Sequence, residues 1–263
     1  MAEGGDVVAL MLDGKMSTVA DIIQQDSGCL EVSEAEAISI DGKLALADRD
    51  CRLKLAQFVV NQGLEDVLGA AGNRLRLDRI VANEAMERWH EFHTLSLLYS
   101  DAYYRSLSER YEKKLQHYEG MAKAAWEALI DTGIVCTLDP VPRATIAATD
   151  LVPGMMEAAG AYYVGIQWVN GNGQRGALSE TQMIHAGIGM GIQITAGERP
   201  AGIAGYDVLA GTEPERLRKQ NEQPVSANEA FVVSSMLSTS DESSAWSEPV
   251  DFVLRRKRRL LRG

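Results

Sequence analysis

The chain has 263 residues, 46% of them apolar, which suffices for one large domain or two of ordinary size. Its net charge is −11. Residues 1–140 contribute −10 and residues 141–254 contribute −7, whereas the six basic residues in 255–262 contribute +6. The acidic charge of residues 1–254 argues against a protein that wraps nucleic acid, because phosphate binding needs Lys and Arg. It also argues against binding to an anionic membrane surface.

The first 42 residues form an N-terminal extension in our division of the chain, with a possible short helix at 17–25. The stretch EAISIDGKLAL, residues 36–46, alternates apolar and polar positions around an Asp-Gly pair. This pattern predicts a hairpin with a two-residue turn. An equally weighted alternative starts the following helix at Lys43.

A helix is predicted over residues 48–71, with Asp48 as its N-cap and Gly72-Asn73 as its stop signal. Apolar residues at spacings of three and four predict its buried face. These residues are Leu53, Ala56, Val60, Leu64, Val67 and Leu68.

Residues 83–132 contain no proline and predict about 50 residues of helix, roughly 75 Å if it is continuous. Such a helix is either broken near Ser100–Tyr104 or packed in a bundle made with other subunits. Asp131-Thr132-Gly133 ends it, which completes a helical domain over 43–139. Its predicted seam for packing against another helix comprises Tyr111, Leu115, Tyr118, Ala122, Ala125 and Leu129.

Aromatic residues are concentrated in this helical segment, which holds half of the 16 in the chain. They form either an ordinary core stripe or a subunit interface, where Tyr, Trp and Arg are enriched. The candidate interface residues are Arg88, Trp89, His90, Phe92, His93, Tyr99, Tyr103, Tyr104, Arg110, Tyr111 and Tyr118.

The hydrophobic period changes to two after Asp139-Pro140-Val141-Pro142, which we interpret as a stiff linker. Short strands separated by turn signals, including Gly171 and Gly173, predict a β-sandwich over 140–254. The fold class is therefore α+β with two domains. The predicted strands lie within 145–149, 162–169, 188–194, 206–210 and 231–233, with 252–254 as a further candidate.

No residue pattern indicates catalysis, a cofactor or a metal. His90 and His93 are three positions apart on a helix, whereas zinc enzymes usually place two helical histidines four apart. Gly171-Asn172-Gly173 lies between strands and precedes neither a Lys-Ser/Thr pair nor a helix, so it is not a phosphate loop. We therefore expect the protein not to be an enzyme.

The C-terminal segment 255–263 is strongly basic and has three interpretations: a nuclear-localisation or nucleic-acid signal, a solubilising end, or an arm that docks on an acidic neighbour. The acidic body favours the docking arm. Its residues are Arg255, Arg256, Lys257, Arg258, Arg259, Leu260, Leu261 and Arg262.

Both halves of the chain resemble parts of known phage proteins. The β half resembles the fibronectin-III and immunoglobulin-like modules of tailed-phage structural proteins, through Tyr162-Tyr163-Val164, Trp168-Val169-Asn170 and Gly205-Tyr206-Asp207-Val208. The helical half resembles phage neck proteins of the head–tail adaptor type. That second likeness rests on the segments 88–95, 99–103 and 109–114.

The resemblance to adaptors implies a virion protein of the neck, assembled in the host cytoplasm. Its partners would be further copies in a ring, twelve to match the portal, the portal protein, and other neck and tail proteins. DNA would pass through the lumen without sequence-specific binding. The added β module and the long N-terminal extension depart from the simplest adaptors.

Alternative functions are a capsid decoration or tail-completion protein, or a host-surface glycan-binding module with Trp168 or Trp246 as the exposed aromatic residue. No apolar run is long enough to span a bilayer, so no membrane partner is expected. The N-terminus lacks the basic region of a signal peptide. Three unpaired cysteines indicate a reducing compartment.

Overall fold

The structure is a computed structural model that describes residues 10–14, 16–61, 77–214, 216–234 and 250–255. The fold is mixed: α-helices in the N-terminal half are followed by antiparallel β-sheets. The chain divides into a helical unit, Gly14–Leu138 with Val250–Gly263, and a β unit, Met1–Asp13 with Asp139–Pro249. Among the described helices, none is long and apolar enough to cross a membrane.

Two short helices open the helical unit, α1 (Val19–Gln25) and α2 (Cys29–Ala35). The predicted short helix is therefore confirmed. Thr18 begins α1 with a capping box, in which the side chains of Thr18 and Asp21 each accept a backbone N–H of the other. Both helices lie inside the predicted N-terminal extension, yet they belong to the helical unit.

The third helix, α3, spans Ile40–Asn61, so the predicted hairpin is wrong. The Asp-Gly pair lies in the first turn of α3, where Ser39 Oγ accepts the Gly42 N–H at 3.1 Å. A serine that accepts this bond is a favourable start for a helix. Asp48 is consequently inside α3 and not its N-cap, and it forms an ion pair with Arg52 at 2.9 Å. The predicted stop at Gly72-Asn73 lies outside the described residues.

At the described positions the buried face of α3 is not the predicted one, and the predicted residues Leu64, Val67 and Leu68 lie outside the described part of the chain. Leu53 and Val60 are 60% and 56% exposed. The helix carries two apolar stripes at helical spacing, and the other one packs into the core. The buried stripe consists of Leu44, Ala47, Cys51, Leu55, Phe58 and Val59.

The long segment 83–132 forms two helices, α4 (Glu84–Ser106) and α5 (Glu109–Thr132), which pack against each other as a hairpin. The break falls at Leu107–Ser108, later than the predicted Ser100–Tyr104. The α5 seam faces α4 as predicted, except that Trp126 is buried beside it and Ala125 is half-buried. A 3-10 helix, Leu77–Arg79, precedes α4.

The predicted helix end is confirmed, because α5 ends at Thr132 and Gly133 adopts a φ of +113°. Strand β1 (Ile134–Cys136) follows at once and pairs antiparallel with β10 (Phe252–Leu254). The predicted strand 252–254 therefore exists, but it joins the helical unit and not the β domain that we assigned to 140–254. Arg255 Nε adds a hydrogen bond to the Thr132 carbonyl at 3.1 Å.

We expect Gly133→Ala to weaken this junction. A Cβ at Gly133 would clash with Val253 Cγ1 and lie 3.1 Å from the Leu254 carbonyl, at a φ that disfavours any side chain. The free energy of unfolding of the helical unit should fall by about 1–3 kcal/mol. Amide hydrogen exchange in β1 and β10 should also become faster.

Gly120→Ala is the matched control, because it lies within α5 with nothing within 4 Å of the added Cβ. Because alanine has a higher helix propensity than glycine, Gly120→Ala should raise the free energy of unfolding by about 0.5–1 kcal/mol. Unchanged exchange in β10 of the Gly133 variant would refute the assigned role of Gly133.

The β unit contains two antiparallel sheets. One is ordered β2-β5-β9 and the other β4-β3-β6-β7, with β8 also pairing with β6. Both sheets contribute side chains to one core, including Trp168, Ile192 and Tyr206. The strands are β2 (Ile146–Pro153), β3 (Gly160–Asn170), β4 (Gln182–Ala186), β5 (Met190–Ala196), β6 (Ile203–Gly211), β7 (Arg218–Lys219), β8 (Val225–Ser226) and β9 (Phe231–Val233).

Five predicted strand regions correspond to β2, β3, β5, β6 and β9, whereas the short strands β4, β7 and β8 were not predicted. The predicted turn after β3 is present, with Gly173 at a φ of +78°. Asn170 organises this turn, since its Oδ1 accepts the N–H groups of Asn172 and Gln174. Ile188 lies outside β5 and is 72% exposed.

Candidate functional site

Most of the predicted interface aromatics are buried inside their own chain. The rings of Trp89 and Trp126 lie 4.6 Å apart, and those of Tyr99 and Tyr118 stack at 5.6 Å across the α4–α5 hairpin. These side chains contribute to the core of the helical unit. The core-stripe interpretation therefore describes six of the candidates, and the interface stays a prediction. These six are at most 8% exposed: Trp89, His90, Phe92, Tyr99, Tyr111 and Tyr118.

The remaining candidates lie nearer the surface. Arg88, Tyr104 and Arg110 are exposed, and Tyr104 is the most exposed tyrosine of the hairpin at 71%. Tyr103 and His93 are half-buried. Only this smaller set remains available for an interface.

A carboxylate, Asp26, organises the centre of the helical unit. It lies between α1 and α2, and its Oδ2 accepts hydrogen bonds from Tyr99 Oη at 2.7 Å, Tyr118 Oη at 2.9 Å and Lys114 Nζ at 2.7 Å. Its Oδ1 accepts the Gly28 N–H at 3.1 Å. One side chain thus joins the N-terminal helices to both helices of the hairpin. We call Asp26, Tyr99, Lys114 and Tyr118 the Asp26 cluster.

The electrostatics of the Asp26 cluster keep the carboxylate charged and the phenols neutral. Burial raises the pKa of Asp26, but the hydrogen bonds from Lys114, Tyr99 and Tyr118 outweigh it and hold the pKa below its ordinary value. Burial, together with the hydrogen bond to Asp26 and its charge, raises the pKa values of both tyrosines well above their ordinary range. The Lys114 ammonium also lies 5.6 and 5.5 Å from the centres of the two rings.

A cleft of about 720 Å³ opens beside this cluster, between α2, α4 and α5. Its basic side chains lie on one face of α5 at helical spacing. Lys114 is held by Asp26, and Arg110 lies 3.7 Å from Glu31, whereas Lys113 and His117 extend from the exposed side of the helix. The cleft offers a tyrosine-lined wall and cationic groups, which suit an anionic group on a partner.

A second cleft of about 410 Å³ brings together Ser96, His93 and Asp50. His93 Nε2 lies 3.1 Å from Asp50 Oδ2, and His93 Nδ1 lies 3.5 Å from Ser96 Oγ. However, Ser96 Oγ donates its proton to the His93 carbonyl at 2.8 Å. A nucleophilic serine must direct that proton at its base, so this arrangement joins helices and does not activate a hydroxyl.

His90 is completely buried and serves as a core hydrogen-bonding group. Its Nε2 lies 3.3 Å from the Leu44 carbonyl, which requires a proton on Nε2, and its Nδ1 accepts from Ser17 Oγ at 3.0 Å. Burial lowers the pKa of His90 to about 4, so the ring is neutral. In the described part of the chain, no group of three or more His, Cys, Asp or Glu side chains is placed to hold a metal ion.

Glu91 is a buried carboxyl at the contact between α4 and α1. Burial and the nearby charge of Asp21 raise its pKa to about 7, although Gln25 donates a hydrogen bond to it. Its Oε2 has no hydrogen-bond partner among the described residues. The folded protein therefore keeps a proton on Glu91 up to near-neutral pH.

We expect Glu91→Gln to stabilise the helical unit above pH 7. The folded state holds the proton up to about pH 7, whereas the unfolded chain releases it near the ordinary value of 4.5. The wild type should therefore lose stability as pH rises from 4.5 to 7, and glutamine removes that loss. The expected gain is about 1–3 kcal/mol at pH 8, with little difference at pH 4.5, measured by urea denaturation at both pH values.

Glu119→Gln, at an exposed position of α5, is the control and should change stability by less than about 0.5 kcal/mol. An equal effect of Glu91→Gln at pH 4.5 and pH 8 would show that packing, and not ionisation, determines its effect.

Among the described residues of the β unit, a buried ionic cluster surrounds Asp207. Asp207 on β6 is 1% exposed and accepts from Arg175 Nε at 2.6 Å, Lys219 Nζ at 3.2 Å and Asn221 Nδ2 at 2.9 Å. These contacts link β6 to β7 and to the loop after β3. Trp168, a candidate for glycan binding, is only 1% exposed and is a core residue. Trp246 lies outside the described residues.

The basic tail begins on the helical unit. Arg255 follows β10 directly, and residues 256–262 lie outside the described residues. The Asp26 cluster could not be predicted from the sequence, because Lys114 and Tyr118 lie 88 and 92 positions further along the chain. A usable signal was present in α5, where Arg110, Lys113, Lys114 and His117 share one helical face.

No family model, curated protein or solved structure gives a significant match to this chain.

Proposed function

We propose that the protein is a structural component of a tailed-phage virion, a ring-shaped head-to-tail connector beneath the portal. In this proposal the helical units of about a dozen copies form the wall of the ring, and the β units decorate it. The chain performs no chemistry of its own. Portal, neck and tail proteins are its partners, and DNA passes through the lumen.

The observation that carries the proposal is the pairing of β10 with β1 in the helical unit. Residues 139–249 of the β unit lie between β1 and β10, and the β1–β10 pairing holds Phe252–Leu254 against the strand that follows α5. The basic tail therefore leaves from the helical unit, the part assigned to the ring wall. In our proposal an arm that starts there engages an adjacent ring.

The charge distribution supports the same proposal. The 140 N-terminal residues carry a net charge of −10, which repels a DNA backbone passing through a lumen and prevents it from sticking. The basic tail has the opposite sign, so it is suited to an acidic surface of a partner. Both features are typical of an assembly part and not of a nucleic-acid-binding protein.

We propose further that the β unit is an immunoglobulin-like or fibronectin-III β-sandwich. Its two sheets share one core, and Trp168 on β3 packs edge-on against Tyr206 on β6 at 6.1 Å. Immunoglobulin domains bury a tryptophan on strand C and bond a tyrosine near the start of strand F to the backbone, and strands C and F are neighbours in one sheet as β3 and β6 are. Tyr206 Oη likewise donates to a backbone carbonyl, but to that of Glu229, 23 residues further along the chain, at 2.6 Å. The position of β9 beside β5 departs from that topology.

Co-sedimentation with candidate portal rings tests the proposal. We expect the full-length chain to bind the rings and a chain truncated after Arg255 to bind at least about tenfold more weakly, because the charged arm is lost. Added salt should weaken the full-length complex more than the truncated one.

A full-length variant with every arginine of 256–262 replaced by lysine is the control, because it keeps the charge. Its binding should lie close to that of the wild type. A full-length chain that fails to bind the portal rings at low salt would contradict the proposed function.

A further inference from the structure

The cleft beside the Asp26 cluster has a basic wall, although the chain around it is acidic. Among the described residues that line it, none is Asp or Glu, whereas the second cleft has Asp50 and Glu119 in its wall. Residues 1–140 carry a net charge of −10, so the wall is opposite in sign to its surroundings. The basic residues of the wall are Arg110, Lys113, Lys114 and His117. We call this cavity the basic cleft.

Two of these basic side chains are available to a ligand. Lys113 and His117 are exposed, and neither forms an ion pair with a carboxylate in the part of the chain that the structure describes. Lys114, in contrast, is held by Asp26 at 2.7 Å. The charge of Asp26 is thus matched by Lys114, and Lys113 leaves the basic cleft with an excess of positive charge.

The spacing of Lys113 and His117 suits one anionic group. They lie four positions apart on α5, which places their Cβ atoms about 5–6 Å apart on one helical face. The lysine ammonium donates hydrogen bonds, and an imidazole ring carries at least one N–H in either charge state. A phosphate group has several acceptor oxygens, so it can bond to both side chains. Arg110 can add a contact, because its exposed pair with Glu31 contributes little.

The rest of the wall is aromatic. Tyr99, Tyr111 and Tyr118 line the basic cleft, and Asp26 accepts the hydrogen bonds of the first and last of these. The His117 ring meets Tyr118 edge-on at 5.0 Å, so the cationic and aromatic parts of the wall adjoin. Aromatic side chains favour contact with another ring. The volume of about 720 Å³ is within the range of about 300–1,000 Å³ for small-molecule sites.

We infer that the basic cleft binds a small organic phosphate. Its phosphate group bonds to Lys113 and His117, and its planar ring packs against the tyrosines. A cleft lined by one sign of charge concentrates the field and attracts ligands of the opposite sign. The inference goes beyond the proposed function and does not depend on it, because one chain supplies every residue of the site.

Three probes test the two halves of the site on the full-length protein. Phenyl phosphate carries both an anion and a ring, inorganic phosphate carries the anion alone, and benzyl alcohol carries the ring alone. Phenyl phosphate should bind about tenfold more tightly than either of the others, or more, because only it makes both kinds of contact. Ligand-observed proton and phosphorus NMR measures the three dissociation constants.

Lys113→Gln and His117→Gln test the residues that hold the phosphate. Each variant should bind phenyl phosphate about fivefold more weakly, or more, since a hydrogen bond to a charged group is lost. Both positions are exposed, so neither variant should change thermal stability. Lys123→Gln is the matched control, because Lys123 is exposed on α5 about 15 Å further along the helix and lines the second cleft. It should bind phenyl phosphate as the wild type does.

A wild-type chain that binds no phenyl phosphate at millimolar concentration would overturn the inference, as would equal affinities for phenyl phosphate and inorganic phosphate. Lys113 and His117 variants that bind like the wild type would also overturn it. The same holds if Lys123→Gln weakens binding as much as Lys113→Gln, since the net charge of α5 would then explain the attraction. Binding to portal rings is measured separately, so failure here leaves the proposed function standing.

Discussion

Asp26→Ala is expected to lower the free energy of unfolding of the helical unit by about 3–5 kcal/mol, the range for breaking a buried charged cluster. The substitution removes the carboxylate oxygen that accepts from Tyr99, Lys114 and Tyr118. The two buried phenols then lack a partner, and hydrogen bonds to a charged acceptor are each worth about 1.5–3 kcal/mol. Urea denaturation followed by far-UV circular dichroism measures the loss.

Asp131→Ala, an exposed carboxylate on α5, is the control and should change stability by less than about 0.5 kcal/mol. The effect of Asp26 should also depend on pH. Because its folded pKa is below the ordinary 3.8, its contribution is complete above that pH and disappears as pH falls through the folded value. A loss below about 1 kcal/mol at pH 7 would mean that Asp26 is not the link we describe.

Trp168→Ala should destabilise the β unit by about 3–5 kcal/mol, the range for removing a buried aromatic side chain. Trp168 is 1% exposed, packs against Tyr206, and belongs to the core that both sheets share. Amide hydrogen exchange should accelerate across β3 and β6, and the near-UV circular dichroism of the core aromatics should weaken.

Trp168→Phe keeps most of the side-chain volume, so it should lower the stability of the β unit by about half as much as Trp168→Ala, or less. Leu151→Ala on β2 is the exposed control, since Leu151 is 46% exposed. Normal exchange protection in the Trp168→Ala variant would indicate that each sheet is stable without the shared core. That result would also remove the main support for a sandwich.

Sequence patterns correctly predicted the features that depend on residues close together in the chain. The end of α5 was predictable because Gly133 stops a helix through its own backbone freedom. The alternation in β3, β5 and β6 follows directly from side chains that point to opposite faces of a strand. The short strands β7 and β8 have two residues each, too few to show a period.

Choices between competing local patterns were not predictable from a single sequence. The two apolar stripes of α3 have the same helical spacing, and only packing against α4 and α5 decides which is buried. The turn at Leu107 contains neither glycine nor proline, so nothing marked the break. The same spacing describes a core seam and a subunit contact, so the sequence alone could not decide which of the two the aromatic residues form.

Long-range pairing was also beyond prediction from the sequence. Nothing near Phe252–Leu254 indicates that this strand pairs with Ile134–Cys136, across the whole of the β unit. This pairing is nevertheless what places Arg255, the first residue of the basic tail, on the helical unit, and it has a larger effect on the functional proposal than any single motif.

The native mass of the purified full-length protein, alone and with candidate portal rings, tests the connector account most directly. The account predicts a closed ring of about a dozen copies, either free in solution or assembled on the portal ring. A chain that remains a monomer in both mixtures would contradict it.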